Sequence, residues 1–316
     1  MRQTATLRLV DPTPDLRETV GRYLSDLTGS EATKRTYRYS LTHFTDYLTT
    51  YHTHHLSAVD LATVKAYLRH EQEAGFKDAT VNHRLAALRA FFGWAVSHGY
   101  LSEDPSKDVD FCKVRDRAEA AFLDAFELDC LLQTCDRNTT EGMRAFAMLR
   151  VLCDCGLRVS ELCGLDVDDL DFRRGALFVR NGKGGKAAWV YFDNEARKRG
   201  NTRAALKDWL SVRPMFADSQ WRQPLFVTRN PTRFTRQSAW AVVKDTARRS
   251  RLPREKADRI TPHTLRHSFV TRVWERTGDI ALTAKAARHT SHNTTLSVYT
   301  HIRDERLKEV AGGLWG

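Results

Sequence analysis

The chain has 316 residues, of which 41% are hydrophobic and 28% are charged, with 17 glycines and 8 prolines. This composition is typical of a globular protein and excludes a fibrous or disordered chain. Fifty Lys and Arg residues against 39 Asp and Glu residues give a formal net charge of +11. The excess favours a polyanionic partner, nucleic acid first, because long-range attraction raises its local concentration. A charge that serves only solubility is the alternative.

The six cysteines form no C-x-x-C pair, and several lie in apolar helical segments such as "VLCDCGLRVSEL". We expect reduced, buried thiols of the kind found in cytoplasmic proteins. The N-terminal residues contain no apolar run long enough for a signal peptide, and no stretch of about 18 apolar residues occurs anywhere. The sequence therefore predicts a cytoplasmic protein with no membrane partner.

From Pro12 to Gly99, apolar residues at three- and four-residue spacing predict four short helices in a compact bundle. Ser30 is the expected N-cap of the second helix and Asp78 that of the fourth. The apolar stripes run, in chain order, over Leu16 to Leu27, Tyr37 to Leu48, Val64 to Leu68 and Val81 to Ala95.

Basic residues lie on the polar faces of the second and fourth of these helices. A helix pair of this kind can hold a phosphate backbone, and a solvated basic face is the alternative. The candidate DNA-binding residues are Lys34, Arg35, Arg38, His83, Arg84 and Arg89. Between the second and third helices, "YHTHH" (Tyr51 to His55) has no spaced partner cluster, so we expect a surface loop there rather than a metal site.

The apolar periodicity is lost between Leu101 and Ala120, where Pro105 and charges of both signs are typical of a connection between domains. We place a helical domain at residues 1–110, a linker at 111–120 and a second domain at 121–316. The length of the chain is consistent with two domains.

The second domain is predicted to be mainly helical with a small β-hairpin. Two β-rich runs, Ala176 to Arg180 and Ala188 to Phe192, flank a glycine-containing turn with lysines at its tip. The fold class is therefore mainly α with a small hairpin or sheet, in which a helical domain precedes a mixed α/β domain. Helices are predicted at Asp124 to Cys135, Glu141 to Cys155, Glu195 to Val212, Gln237 to Arg249, Pro262 to Thr277 and Ile280 to His289, with one more after Tyr299.

The stretch "TPHTLRHSF" begins a predicted helix, with Thr261 as its N-cap and Pro262 as its first residue. His263 and Arg266 share a face of the first turn, close to free backbone N–H groups and the positive end of the helix dipole. This arrangement predicts an anion site. A metal site at His263 and His267 is disfavoured, because Thr264 stands where an H-E-x-x-H motif has glutamate, and Arg266 would repel a cation.

Three other segments carry candidate functional residues. Arg158, in "CGLRVSELCGL", needs either Glu161 or a bound anion as its partner in an apolar setting. "GKGGK" offers Lys183 and Lys186, which either donate a proton to a leaving oxygen or face water, and it lacks the spacing of a P-loop. "ARHTSHNTTLSVYTH" supplies His289, His292 and Tyr299.

Taken together, these segments resemble the tyrosine recombinase (phage integrase) family, particularly its Xer-like members. The resemblance is carried by "GLRVSELCGL", "GKGGK", "PHTLRHSF" and "TTLSVYTH", which span the whole second domain. The preceding helical bundle is similar to the core-binding domain of that family. The resemblance implies that Arg158 and Arg266 hold the scissile phosphate of DNA, while His263 and His289 donate hydrogen bonds to its remaining oxygens.

The same resemblance implies that Lys183 protonates the departing 5′-oxygen and that Tyr299 is the nucleophile. The products would be a 3′-phosphotyrosine link and a free 5′-hydroxyl, with no metal and no cofactor needed. Arginine, lysine and histidine side chains are suited to this chemistry, since they supply fixed positive donors to the charge that develops on the phosphate oxygens in the transition state. The covalent link retains the energy of the broken bond, so the strand can be rejoined without ATP.

The sequence departs from the family at Ala287-Arg288-His289, where Leu-Gly-His is usual. Arg288 either adds a phosphate contact or points away, and His292 is a possible substitute for His289. The expected partner is double-stranded DNA with a specific site, bound by a homotetramer in the synapse, with a partner recombinase or accessory protein possible. The segment after Tyr299 packs either on a neighbouring protomer or on its own domain. Alternative functions are a type IB topoisomerase-like enzyme and a catalytically inactive DNA-binding regulator.

Overall fold

A computed structural model of the chain describes residues 15–113, 122–180, 187–192, 201–213, 223–230 and 232–288. These residues are mainly helical and include one three-stranded antiparallel sheet, which confirms the predicted fold class. The chain divides into two compact units, Met1–Arg117 and Ala118–Gly316.

The described part of the N-terminal unit contains four α-helices, as the spacing of apolar residues predicts. The expected N-cap Ser30 accepts a hydrogen bond from the backbone N–H of Thr33. Asp78 was expected to be the N-cap of the fourth helix, but this prediction is wrong. Lys77 occupies the N-cap position, and Asp78 is the first residue of the helix. A carboxylate there favours the helix through its dipole instead. The helices are α1 (Leu16–Asp26), α2 (Glu31–Thr50), α3 (Leu61–Glu73) and α4 (Asp78–Ser97).

The core of this unit is rich in aromatic side chains. Phe44 on α2 makes edge contacts with Tyr67 on α3 and Phe92 on α4, with ring centroids 5.1 and 6.0 Å apart. All three side chains are fully buried. Aromatic contacts of this geometry add to the stabilisation from burial alone, so these rings join α2, α3 and α4.

Arg84 lies within this core, although its charge suggested a surface position. Its side chain is 2% exposed and forms an ion pair with the buried carboxylate of Glu71. The guanidinium also lies 4.1 Å from the centre of the Phe76 ring. Because the charge is already neutralised inside the unit, Arg84 is not presented to a DNA backbone. The prediction of Arg84 as a DNA-contacting residue is therefore withdrawn.

Eight helices and a sheet make up the described part of the C-terminal unit. In the sheet, β2 lies between β1 and β3, and Leu177 on β2 is opposite Val190 on β3. The predicted hairpin is present, whereas β1 was not predicted because it is only two residues long. The strands are β1 (Leu170–Asp171), β2 (Ala176–Val179) and β3 (Ala188–Tyr191). The helices are α5 (Ala125–Gln133), α6 (Thr140–Cys155), α7 (Val159–Gly164), α8 (Thr202–Val212), α9 (Arg236–Arg249), α10 (Arg254–Arg259), α11 (Pro262–Thr277) and α12 (Ile280–Ala287).

Helix α6 is the centre of this unit, with α8 and α11 packed against it. Its apolar residues are buried on almost every side, from Phe146 to Cys155. All six cysteines are free thiols, and burial raises the pKa of Cys153 to about 12, which keeps it protonated and unreactive. Among the described residues, no helix is both long and apolar enough to cross a membrane.

The ion pair between Glu71 and Arg84 gives a prediction about stability. Glu71→Gln leaves a buried guanidinium without its counter-charge, which should destabilise the N-terminal unit by about 3 kcal/mol or more. Hydrogen exchange of the α4 amides measures the change as a loss of protection. The matched control is Asp46→Asn, which breaks the exposed pair with Arg17 and should cost at most about 1 kcal/mol. Equal effects of the two changes would contradict this account.

Candidate active site

The ends of four helices meet around the sequence-predicted arginines. Arg158 occupies the N-cap position of α7, and Arg266 lies in the second turn of α11. The C-terminal ends of α6 and α12 supply main-chain carbonyl groups to these two side chains. The structure thus brings together two arginines that are 108 positions apart in the chain.

The start of α11 forms as its sequence predicts. Thr261 is the N-cap, and its hydroxyl accepts a hydrogen bond from the backbone N–H of Thr264 at 3.2 Å. Pro262 is the first helical residue, where its missing N–H has no consequence for the helix. The side chain of His263 is partly accessible to solvent at this end of α11, as an anion site requires.

Arg266 is held between the ends of two helices. Its side chain is only 6% exposed and donates hydrogen bonds to the carbonyl oxygens of Gly156, after α6, and Ala287, the last residue of α12. These carbonyls at helix C-termini lack partners within their own helices and carry partial negative charge. Burial, with a further contribution from Arg158, lowers the pKa of Arg266 to about 10. The group therefore remains a cation at neutral pH.

Gly156 fixes the geometry of this junction. It ends α6 in the left-handed conformation, with φ of 58°, which glycine adopts without steric cost. A β-carbon at this position would overlap the ring of Phe269 on α11. The close approach of α6 and α11 therefore requires glycine, and it brings the Gly156 carbonyl to Arg266.

Arg158 is bound by the carboxylate of Glu161, one turn further along α7. Its Nη1 lies 2.8 Å from Glu161 Oε1, and its backbone N–H donates to Oε2 at 2.8 Å. The Arg158 side chain nevertheless remains 21% exposed. Of the two partners that the sequence allowed, Glu161 is present, and part of the Arg158 side chain remains exposed to solvent.

The Glu161 carboxylate also binds Arg288. Nη2 of Arg288 lies 2.5 Å from Glu161 Oε2, and the Glu161 side chain is 1% exposed. Burial by itself would raise the pKa of Glu161, but the charge of Arg288 and the hydrogen bonds from Arg158 outweigh it and hold the pKa below its usual value of 4.5. Glu161 is therefore ionised at neutral pH. Its bridging role was missed in the sequence, where only its spacing from Arg158 was visible.

The two histidines of α11 are both affected by their surroundings. Partial burial, followed by the charges of Arg266 and Arg158, lowers the pKa of His263 below 6.5. The pKa of His267 is also lowered below 6.5, mainly by burial and to a smaller extent by His263 and Arg266. Both rings therefore favour the neutral form at pH 7 in the absence of an anion. Among the described residues, no group of His, Cys, Asp or Glu side chains could hold a metal ion.

Three of the six predicted catalytic residues, Lys183, His289 and Tyr299, lie outside the described residues, as do Lys186 and His292. Their assignments stay predictions. The described part of the site consists of Arg158, Arg266 and His263, together with Glu161 and Arg288.

The basic residues predicted on α2 and α4 differ in their surroundings. Arg35, Arg38 and His83 are exposed, and Lys34 is half-buried, 3.8 Å from the carboxylate of Glu31. Arg89 donates a hydrogen bond to the carbonyl oxygen of Val109 at 2.5 Å and stacks on Phe111. Arg89 therefore anchors the segment that follows α4.

The sequence does contain a signal for the burial of Arg84. Arg84 lies three residues after Val81 and four before Leu88, so it shares the apolar stripe of α4. A position on the core-facing stripe outweighs the usual preference of arginine for the surface when a buried carboxylate is available.

Comparison with known proteins agrees with the architecture described above. Residues 121–306 match the phage integrase family, and residues 20–99 match the phage integrase N-terminal SAM-like domain. The chain therefore belongs to the phage integrase family. It is a tyrosine-type site-specific DNA recombinase. This result favours the recombinase predicted from the sequence over the two alternatives, a topoisomerase-like enzyme and an inactive DNA-binding regulator.

Curated relatives are similar to the chain over most of its length. Tyrosine recombinase XerD of Listeria innocua is 31% identical over 288 residues, which cover 89% of this chain and 91% of the relative. Tyrosine recombinase XerD of Staphylococcus aureus is 28% identical over 275 residues, which cover 87% and 89%.

Solved structures share the fold. XerH site-specific recombinase, bound to palindromic difH substrate in a post-cleavage complex, has a TM-score of 0.76 at 21% identity and covers 98% of this chain and 99% of its own. The Tn1549 transposon integrase in complex with transposon right end DNA has a TM-score of 0.70 at 20% identity, with coverage of 93% and 100%. At these identities the likeness establishes the fold alone.

The environment of His263 gives a prediction about its titration. Nuclear magnetic resonance of the free protein should show a His263 pKa below 6.5 that rises in Arg158→Met, because a neighbouring cation that opposes protonation is removed. The rise should be partial, since burial persists. Arg276→Met removes an exposed charge from the far end of α11 and should leave this pKa unchanged. A His263 pKa at or above 6.5 would contradict the described environment.

Proposed function

We propose that the chain cleaves and rejoins double-stranded DNA at a specific site through a covalent 3′-phosphotyrosine intermediate on Tyr299. The observation that carries the proposal is the meeting of Arg158, Arg266 and His263 at the start of α11. Arg158 and Arg266 are proposed to hold the scissile phosphate, with hydrogen bonds to its oxygens from His263 and His289.

The proposed reaction transfers the phosphoryl group twice without net loss of bond energy. The Tyr299 hydroxyl attacks phosphorus as its proton passes to solvent water, the bond to the 5′-oxygen breaks, and Lys183 donates a proton to that oxygen. A free 5′-hydroxyl then attacks the phosphotyrosine, which restores a phosphodiester and releases the tyrosine. Neither ATP nor a metal ion enters these steps, because the guanidinium groups supply the positive charge that stabilises the transition state.

The hydrogen bonds of the arginines support this role. Arg266 donates its hydrogen bonds to neutral carbonyl oxygens. Among the described residues it forms no ion pair with a carboxylate, although the charge of Glu161 acts on it from a greater distance. A cation that is positioned in advance by dipoles costs little to reorganise when charge develops on the substrate. A guanidinium also offers two parallel donors that match two phosphate oxygens.

The proposed partner is a DNA duplex. In support, the Tn1549 transposon integrase was solved in complex with transposon right end DNA, and XerH was solved bound to palindromic difH substrate. We further propose a homotetramer on two synapsed sites, acting in the cytoplasm. The N-terminal unit is proposed to contact DNA through the exposed residues Arg35, Arg38 and His83, and through Lys34.

Covalent trapping tests the proposed nucleophile. The protein is incubated with nicked duplexes whose sequences are taken from the DNA around its own gene, in the presence of a magnesium chelator. This incubation should give a protein–DNA adduct that resists denaturation. Tyr299→Phe should form none, because it lacks the attacking oxygen. DNA binding without an adduct under any condition would contradict the proposed reaction.

The exposed basic face of α2 gives a separate prediction about DNA binding. Arg35→Ala/Arg38→Ala should weaken binding to any duplex and reduce the dependence of log K on log salt by roughly 2, since two phosphate contacts are lost. Fluorescence anisotropy at several salt concentrations measures both quantities.

The matched control for this prediction is Lys65→Ala/Arg69→Ala, which removes two exposed charges from α3. It should change the salt dependence much less. Equal changes in the two double variants would mean that only net charge matters and that α2 makes no specific contact.

A further inference from the structure

Arg288 has an unusual backbone conformation for a side chain of its size. It ends α12 in the left-handed region, with φ of 51° and ψ of 45°. Within the described ranges, only His52 shares a positive φ among residues other than glycine. Glycine adopts this conformation with the least steric cost, so the contacts of the Arg288 side chain must offset a backbone preference.

The Arg288 side chain is connected to Arg158 through the carboxylate of Glu161. The Arg288 side chain, 13% exposed, binds Glu161 Oε2 through Nη2 at 2.5 Å, and the same carboxylate binds Arg158 through Oε1 at 2.8 Å. A carboxylate held on both sides has less freedom to rotate than one held on a single side. Arg288 therefore restricts the group that orients Arg158.

Main-chain carbonyl groups at the end of α12 accept hydrogen bonds from Arg158 and Arg266. The carbonyl oxygen of Ala287 accepts from Arg266, and that of Arg288 accepts from Nη2 of Arg158 at 3.4 Å. These two carbonyls lack partners within α12. The C-terminus of α12 therefore contacts both predicted phosphate-binding residues, and the bond from Arg288 to Glu161 attaches that terminus to α7.

We propose that Arg288 is a positioning residue, which acts through Glu161 to fix the guanidinium of Arg158 in the orientation needed for strand cleavage. This inference rests on the proposed function, because it assigns Arg158 to the scissile phosphate. It explains why this chain tolerates arginine at a left-handed helix end.

The test is the single-turnover rate of adduct formation on a nicked duplex. Arg288→Gly retains the main-chain carbonyl and suits the left-handed backbone, so the variant should fold. Its cleavage should be about 10- to 100-fold slower, with the Kd for the duplex changed by less than about 3-fold. Arg288→Lys keeps the charge and should recover part of the rate. Lys285→Ala, which removes an exposed charge from the same helix, should cleave at the wild-type rate.

A double-mutant cycle separates action through Glu161 from direct contact with DNA. If Arg288 acts through Glu161, Glu161→Gln/Arg288→Gly cleaves no more slowly than Glu161→Gln alone. If the two losses multiply, the positioning role is overturned in favour of an independent one.

A pH profile provides a readout that a merely structural role would not move. The charged groups that act on Glu161 among the described residues are Arg158, Arg266 and Arg288. Without Arg288 the pKa of Glu161 should rise, so cleavage by Arg288→Gly should fall off at a higher pH than in the wild type as the solution is acidified.

Three further results would overturn the inference. Wild-type rates in Arg288→Gly would show that the side chain positions nothing, and an equal loss in Lys285→Ala would show that only charge matters. If the wild-type protein itself formed no Tyr299-dependent adduct, the proposed function would fail first and this inference would fail with it.

Discussion

The described half of the active site depends on one buried carboxylate, that of Glu161, placed between two guanidinium groups. A buried charge is costly unless it is paired and hydrogen-bonded. Glu161 meets both conditions, since Arg158 binds one oxygen and Arg288 the other. Arg158 is thereby held in place while part of its side chain stays exposed. The same pairing joins the first turn of α7 to the end of α12.

Helix ends supply most of the remaining contacts. Arg266 is bound by the carbonyl groups that follow α6 and end α12, which are neutral acceptors with partial negative charge. Neutral acceptors hold a cation in position without cancelling its charge. The site can therefore keep a net positive charge although it is largely buried, as the proposed binding of a phosphate requires. Gly156 makes this possible, because only a residue without a β-carbon lets α6 end so close to Phe269.

Local patterns allowed much of the fold to be predicted from the sequence. Periodicity identified the helices of the N-terminal unit, and Thr261 and Pro262 located the start of α11, because caps and apolar spacing act within a few residues. The hairpin followed from two β-rich runs around glycines. The two-residue strand β1 and the short helix α10 are too brief to produce a periodic signal.

Interactions between distant segments were harder to predict. The pairing of Arg84 with Glu71 and the bond from Arg288 to Glu161 join residues that are far apart in the chain, and spacing carries no information about such pairs. Arg84 was assigned to the polar, DNA-binding face of its helix, although its spacing from Val81 and Leu88 also fits the apolar stripe. The resemblance to a family supplied Arg158 and Arg266 as phosphate ligands, but it could not show how this chain accommodates Arg288 where that family usually has glycine.

The central claim is that Glu161 orients Arg158, the arginine proposed to bind the phosphate, and it is tested most directly by comparing Glu161→Gln with Asp154→Asn. Asp154 is also a partly buried carboxylate of this unit and pairs with Arg150 and Arg272. Single-turnover cleavage is measured at a temperature where both variants are folded and bind DNA. The account predicts a loss of at least about 100-fold for Glu161→Gln and less than about 3-fold for Asp154→Asn. Equal rates in the two variants would contradict it.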